Sequence, residues 1–417
     1  FSSDPRVNSL WLELVEYDYS MVSRLTRIYY NETFFDYPLK PFNALYGLGI
    51  LDSLHCVASY LFAKLLPTKS SATFESWVKN RFGRRLFEIF FKSYSEKLWG
   101  IKCDELHSDF AAQRIKKLSL FEVIKEALLG NQHSKHKTLV DEFAYPHLGA
   151  GLVYKRMEKT ITKLGGRLIL NTPVKAVIPE INGSNPQLHL VNESKIDYDH
   201  VISTMPINLL VEQMNAPSKI INHVKSLKFR NTILVYLLIE AAAGNPFPDQ
   251  WIYVHSANLK TGRITNFRNW VPTITCGSPD TIICLEYWCY HNDELWKETK
   301  EELVKLATDE IYKTNLIKRN TVKDGHVVRI PNCYPVYKSN YREHLNPVEK
   351  FLSQQRNISA IGRYGAFKYN NQDHSILMGI LAAENILEGT NHNLWEINTD
   401  YEYQESSKIT ATGLVSN

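Results

Sequence analysis

The sequence predicts a mixed α/β (α+β) chain of roughly two to three domains, in which helix-rich and sheet-rich stretches alternate. Three observations carry this. Residues 40 to 130 hold apolar side chains at helical spacing. Residues 231 to 288 hold four β-rich segments separated by Gly, Pro and Asn. Residues 358 to 387 read as a short strand, a glycine turn and an apolar helix. A chain of 417 residues is long enough for a large core.

Taken in order, residues 45 to 66 are apolar and helical in pattern. Over 74 to 94, Phe74, Trp77, Val78, Phe82, Leu86, Ile89 and Phe90 share one helical face, and a further helix is expected over 119 to 129. "NQHSKHK" at 131 to 137 is a polar connection. From residue 151, "GLVYKRMEKTITK" is a helix ended by Gly165 and Gly166. "RLILNTPVKAVI" reads as a strand, a Thr-Pro break and a second strand. "LHLV" and "YDHVIST" are strands around the "NESK" turn, and Pro206 closes that unit. "NTILVYLLIE", "QWIYV", "GRITNF" and "TIICLEYW" predict an antiparallel sheet. A helix follows over 299 to 313, then a strand at "GHVVRI". Beyond Glu388 the chain is polar and patternless, and a loose tail is expected.

Composition excludes several classes. Hydrophobic residues make up 44% and charged residues 22%, with a net charge of +4 and no long Lys/Arg run, so nucleic acid is not indicated as a partner. The longest apolar run, "ILVYLLI" at 233 to 239, is far too short to span a bilayer. The six cysteines, at 56, 103, 276, 284, 289 and 333, form no CxxC pair and no zinc-like spacing. They read as reduced thiols of a cytoplasmic protein, with no metal site. The 23 Tyr and 8 Trp residues fit either an aromatic core or a pocket that stacks rings.

"GRYGAFKYNNQDHSILMGILAAENIL", residues 362 to 387, concentrates the chemistry. A strand running through glycines into a helix N-terminus favours an anion or cofactor, because free N–H groups and the helix dipole attract negative charge. Asp373 or Ser375 could equally cap the helix. Capping does not explain why Arg363, Lys368 and Tyr369 crowd into the same turn.

These residues resemble the C-terminal flavin-contacting motif of the FAD-dependent amine oxidase superfamily, in particular its UDP-galactopyranose mutase-like and protoporphyrinogen oxidase-like branch. "FDYPLKPFNAL", "FESWVKNRFGRRLFEIFFKSYSEKLWGI", "FAYPHLGAGLVYKRM", "NTPVKAV", "GRITNFRNWVP" and "NCYPVY" resemble further segments of that branch in the same order. The resemblance implies a Rossmann-like, three-layer FAD domain interleaved with a substrate domain of antiparallel sheet plus helices. The FAD domain would collect residues 1–30, 138–205 and 352–392. The substrate region would be helical over 31–137 and sheet-based over 206–351, with 393–417 as the tail. The branch opens with a βαβ unit carrying GxGxxG, which is absent here. The chain is therefore expected to be a fragment whose FAD sheet shows an open notch. A paralogue that has lost its flavin is the alternative.

The resemblance also implies a reaction and a site. In the mutase-like enzymes N5 of reduced flavin attacks the anomeric carbon of a nucleotide sugar and displaces the diphosphate, so no side chain is the nucleophile. Arg263, Arg363, Tyr334 and Tyr369 match positions that hold the diphosphate, and Tyr37 and Trp99 match aromatic positions near the base. Ser95 and Leu39 depart from the branch there. Val174, Gly362, Arg363, Gln372, Asp373 and Ser375 match FAD-contacting positions. His374 would meet the flavin edge or simply pack. The runner-up reading is an FAD-dependent oxidoreductase of the amine oxidase type. A flavinless binding protein is the third. The sequence leaves the oligomeric state open.

Overall fold

The computed structural model describes residues 2, 4–37, 39, 41–68, 71–110, 142–180, 185–397, 407–410 and 413–416. Its main helices are α1 (Pro5–Val15), α2 (Pro41–Leu48), α3 (Ile50–Leu65), α4 (Phe74–Phe82), α5 (Ser93–Trp99), α6 (Gly151–Lys163), α7 (Ile207–Gln213), α8 (Ser218–Ser226), α9 (Lys300–Lys313), α10 (Tyr341–Ser353) and α11 (Gln372–Leu387). Strands β1 (Tyr19–Ser23), β2 (Thr26–Tyr30), β3 (Thr33–Asp36) and β4 (Glu142–Pro146) come early in the chain. β5 (Val174–Ile178), β6 (Gln187–Leu190), β7 (Lys195–Asp197) and β8 (Val201–Ser203) follow. The rest are β9 (Phe229–Ile239), β10 (Trp251–Val254), β11 (Arg263–Asn266), β12 (Thr281–Cys289), β13 (Val322–Pro335), β14 (Ile358–Ala360), β15 (Ser407–Thr410) and β16 (Gly413–Ser416).

The four segments read as an antiparallel sheet form one. β9, β12, β11 and β10 pair antiparallel, β13 adds outside β9, and β2 joins β10 in parallel before turning into β3. Period-two alternation divides its faces. Ile252, Ile264 and Leu285 are fully buried with Leu303, Ala307 and Ile311 of α9. Their strand neighbours Tyr253, Arg263 and Glu286 therefore point to the opposite face, toward α5.

A second region holds the parallel pair β8–β14 and the antiparallel meander β5–β6–β7. It shares one core with the helices. Phe74, Trp77 and Phe87 pack in the same cluster as Val177, Leu210, Ala360 and Phe367, with Val174 against it. The mixed α/β class predicted from the sequence is the class observed.

Several local expectations differ from the structure. Residues 167–170 ("RLIL") form no strand. Leu168, Ile169 and Leu170 are half-exposed or more, and no described strand supplies the ladder a strand needs. The helix expected over 45–66 breaks at Gly49, whose φ is +79°, into α2 and α3. The one expected over 74–94 breaks after Phe82 and resumes through a π-helical stretch, Phe87–Lys92, that feeds α5. The tail after Glu388 carries the antiparallel pair β15–β16. The expected helix at 119–129 and connection at 131–137 lie outside the described residues. No helix among the described residues is long and apolar enough to cross a membrane.

Candidate active site

The site begins with a row across three strands. Tyr253 of β10 is the register partner of Arg263 on β11, and Arg263 is the partner of Glu286 on β12. Neighbours on one face of a sheet interact directly, and Arg263 forms an ion pair with Glu286. Glu286 is buried and also accepts from Trp288 Nε1 at 3.1 Å and Tyr334 Oη at 3.3 Å. Burial opposes the Arg263 charge, yet the Glu286 carboxylate holds its pKa well above the ordinary guanidinium value. Gly262 is required here. A Cβ would lie 1.8 Å from the Trp288 ring, so only glycine lets that indole stand beside Glu286.

Tyr334 reaches the row because β13 is irregular. Its register against β9 shifts between Ile330 and Tyr334, and Asn332 adopts a φ of +53°. Such a bulge re-aims the following side chain. Tyr334 stacks on Tyr369, with ring centroids 5.5 Å apart and planes 22° apart. Arg363 lies against both, 5.0 Å from the Tyr334 centroid and 5.1 Å from that of Tyr369. Its guanidinium donates to the Asn370 carbonyl through Nε at 2.8 Å and a terminal nitrogen at 2.5 Å. Burial, with Glu286 next, raises the Tyr334 pKa well above normal and keeps the phenol neutral.

α5 closes the opposite wall. Trp99 is buried against Tyr369, 5.4 Å away, and Tyr334, 6.3 Å away, and its Nε1 has no hydrogen-bond partner. Tyr94 stacks on His255 and meets Trp288 and Tyr253 edge-on. Tyr37 meets Tyr253 at 5.1 Å. Arg230 fixes the end of α5 by donating to the carbonyls of Lys97 and Leu98, and also of Trp288, while Tyr290 Oη donates to that of Trp99. All six residues singled out for substrate binding thus belong to one continuous assembly.

The positions singled out for a cofactor lie next to it. β8 and β14 end side by side at Ser203 and Ala360, and the carboxyl ends of parallel strands are where open α/β sheets bind ligands. Gly362 follows with a φ of +79° and open space around its Cβ position. The buried Ser203 Oγ there has no hydrogen-bond partner. Asp373, His374 and Ser375 stand in the first turn of α11, and Gln372 is exposed there. His374 Nδ1 accepts from the Asn371 amide at 3.1 Å, a capping role. Val174 lies apart on β5, where its carbonyl accepts from Gln213 at 2.8 Å. Among the described residues no group of His, Cys, Asp or Glu is arranged to hold a metal ion.

Sequence reasoning missed Glu286, Tyr94, Tyr253 and Trp288. Glu286 had a signal: it is the one charge inside the apolar run "TIICLEYWC". A buried carboxylate needs a paired cation.

The model of the flavin containing amine oxidoreductase family matches residues 50–387. The chain belongs to that family. Among solved structures, a reduced UDP-galactopyranose mutase is similar at a TM-score of 0.82 and 17% identity, covering 94% of this chain and 82% of that one. A protein from Exiguobacterium sp. 255-15 described as a protoporphyrinogen oxidase matches at 0.66 and 15%, covering 86% and 81%. A putrescine oxidase variant matches at 0.59 and 13%, covering 94% and 87%. At these identities the likeness is one of fold.

Membership in this family means a flavin-dependent enzyme with a small-molecule substrate. The strand ends at Ser203 and Ala360 fit such a group. An orphaned buried hydroxyl, an open left-handed glycine and a helix N-terminus give a flavin polar partners and close backbone approach.

Proposed function

We propose that this amine oxidoreductase family member is a mutase-type enzyme that binds FAD and a nucleotide sugar, with the diphosphate held between Arg263 and Arg363. The observation that carries this is the meeting of two arginines, from β11 and from the turn after β14, around the Tyr334–Tyr369 stack. A guanidinium pair with phenol donors is complementary to a diphosphate, since each arginine binds phosphate oxygens through a planar fork. Flavin bound at Gly362 would supply the nucleophile or the redox centre; the residues of this chain bind and orient. Arg363 comes held by the Asn370 carbonyl and two ring faces, so little side-chain entropy is lost when phosphate arrives. Arg263 is held in place by its ion pair with Glu286, which a phosphate group would compete with. Tyr37 and Tyr253 provide ring surface for a base, backed by the buried Trp99 packed against Tyr334 and Tyr369. Val174, Gly362, Gln372, Asp373 and Ser375 are the proposed FAD contacts, with His374 serving the helix cap. The free thiols fit a cytoplasmic setting.

The test is calorimetric titration of the protein with a UDP-sugar, for wild type and Arg363→Ala. Saturable binding weakened by the substitution supports the reading.

One observation favours an amine-oxidising reading. Glu286 is a buried carboxylate among Tyr94, Trp288 and Tyr334. Carboxylate plus aromatic faces is how a protein holds an organic ammonium. Tight binding of a polyamine, with none of UDP-sugar, would favour it.

A further inference from the structure

The turn between β10 and β11, residues 255–262, leads directly into Arg263 and is gripped by two opposite charges. From α9, the buried Glu310 accepts from the amides of Lys260 and, at 2.9 Å, Thr261. From α5, Lys97 donates through Nζ to the carbonyls of Val254 at 3.0 Å, Ser256 at 3.1 Å and Thr261 at 2.9 Å. Thr261 is fully buried between them. Its hydroxyl lies 3.2 Å from the carbonyl oxygens of both Arg263 and Glu286, so the grip on this residue is passed to the charged row of the site.

The three carbonyls match the donors of an ammonium one for one. A protonated lysine has three N–H groups, whereas the neutral amine has two and would turn a lone pair toward one of the oxygens. The contact therefore belongs to the charged form. Burial works against that charge and brings the Lys97 pKa down to about 8, with Glu310 opposing part of the fall. The groups facing it do not titrate there. His255, in the turn, is held neutral by burial and then by Lys97 itself, and stacks on Tyr94 of α5, 4.7 Å away. Burial keeps Tyr94 and Tyr287 neutral, and Tyr287 donates to Glu310 at 3.2 Å. Glu286 is paired with Arg263, and Arg230 of β9 donates to the Lys97 carbonyl.

We propose that Lys97 is a positioning residue of this site: its protonated amine fastens α5, with Tyr94 and Trp99, to the turn that sets Arg263, and substrate is held only while that fastening is made. All three of its donors are engaged by backbone, so it acts through Arg263 and the aromatic wall rather than on substrate. The inference rests on the reading of the site as one for a UDP-sugar.

The test is calorimetric titration of the full chain with a UDP-sugar between pH 7 and pH 9. Arg263 and Arg363 stay charged across that range, and Tyr334 stays neutral. Wild-type affinity is expected to fall about tenfold, because only about a tenth of the molecules hold the Lys97 proton at pH 9. Lys368, whose pKa burial also lowers to about 8, donates to the carbonyls of Trp395 and Ile397 and would give a similar limb. Substitution at Lys97 separates the two. Lys97→Arg, charged throughout, is expected to bind without the alkaline fall. Lys97→Met is expected to bind about tenfold or more weakly at pH 7, with no further fall to pH 9. A wild-type profile flat from pH 7 to pH 9, an alkaline fall retained in Lys97→Arg, or wild-type affinity in Lys97→Met overturns the proposal. Hydrogen exchange without ligand separates its failure from that of the substrate reading. In Lys97→Met the amides of residues 254–263 are expected to exchange about tenfold faster or more, with the meander β5–β6–β7 unchanged. If no UDP-sugar binds the wild type, the substrate reading falls; that acceleration then still supports the fastening, and its absence overturns it.

Discussion

Glu286 decides how the charges at the site behave. Without it, Arg263 and Arg363 would be two cations converging on one pair of phenols; with it, one of them is neutralised within the chain. Replacing Arg363 with Ala is expected to cost a charge-assisted contact worth about 1.5–3 kcal/mol, or roughly tenfold to a hundredfold in UDP-sugar affinity. Arg363→Lys recovers only part of it, because the planar fork is lost. Glu286→Gln is expected to leave UDP-sugar affinity unchanged or raised, since it frees Arg263, whereas an ammonium site would lose its ligand. Calorimetry with both ligand types separates the two. His255 offers a pH test. Burial, with Lys97 next, depresses its pKa from 6.5 to about 3, so the folded state binds fewer protons than the unfolded state between those values. Stability is therefore lost as pH falls from 6.5 toward 3. His255→Phe, which keeps a ring against Tyr94, is expected to remove part of that acid sensitivity, roughly 3 kcal/mol at most, in urea unfolding at pH 4 and pH 7. At this scale the sequence showed the arginines and tyrosines because they sit in motifs. It hid Glu286 and Tyr253 because their importance comes from cross-strand register, which no local spacing displays.

At the scale of elements, α5 is positioned by tertiary contacts more than by its own propensity. It is seven residues long, follows a π-helical stretch, and is clamped by Arg230 on two of its last carbonyls. Arg230→Met keeps much of the side-chain volume and leaves those carbonyls and that of Trp288 without their donor. It is expected to destabilise the protein by about 2–4 kcal/mol and to loosen Trp99, seen as a lower urea midpoint and altered tryptophan fluorescence. The strands of the large sheet were legible because a half-buried sheet alternates with period two, and "GRITNF" and "QWIYV" display it. The breaks in the helical block were not. Gly49 and the π-helical turn interrupt patterns whose apolar spacing continues through them. "RLIL" misled for the opposite reason: its apolar pattern is a strand's, but a strand exists only where a partner strand meets it.

At the scale of the whole molecule, the large sheet, the helical block and the turn after β14 each contribute to one aromatic site built on Tyr334, Tyr369 and Trp99. The central claim is that this site recognises a diphosphate. The most direct measurement uses the two buried tryptophans already in its wall, Trp99 and Trp288. Their fluorescence is followed while UDP-sugar, and separately a polyamine, is added to wild type and Arg363→Ala. The account predicts a saturable change with UDP-sugar in wild type, shifted tenfold or more to higher concentration in Arg363→Ala on the estimate above, and little response to the amine. A response to the amine alone, or a UDP-sugar response indifferent to Arg363, would contradict it.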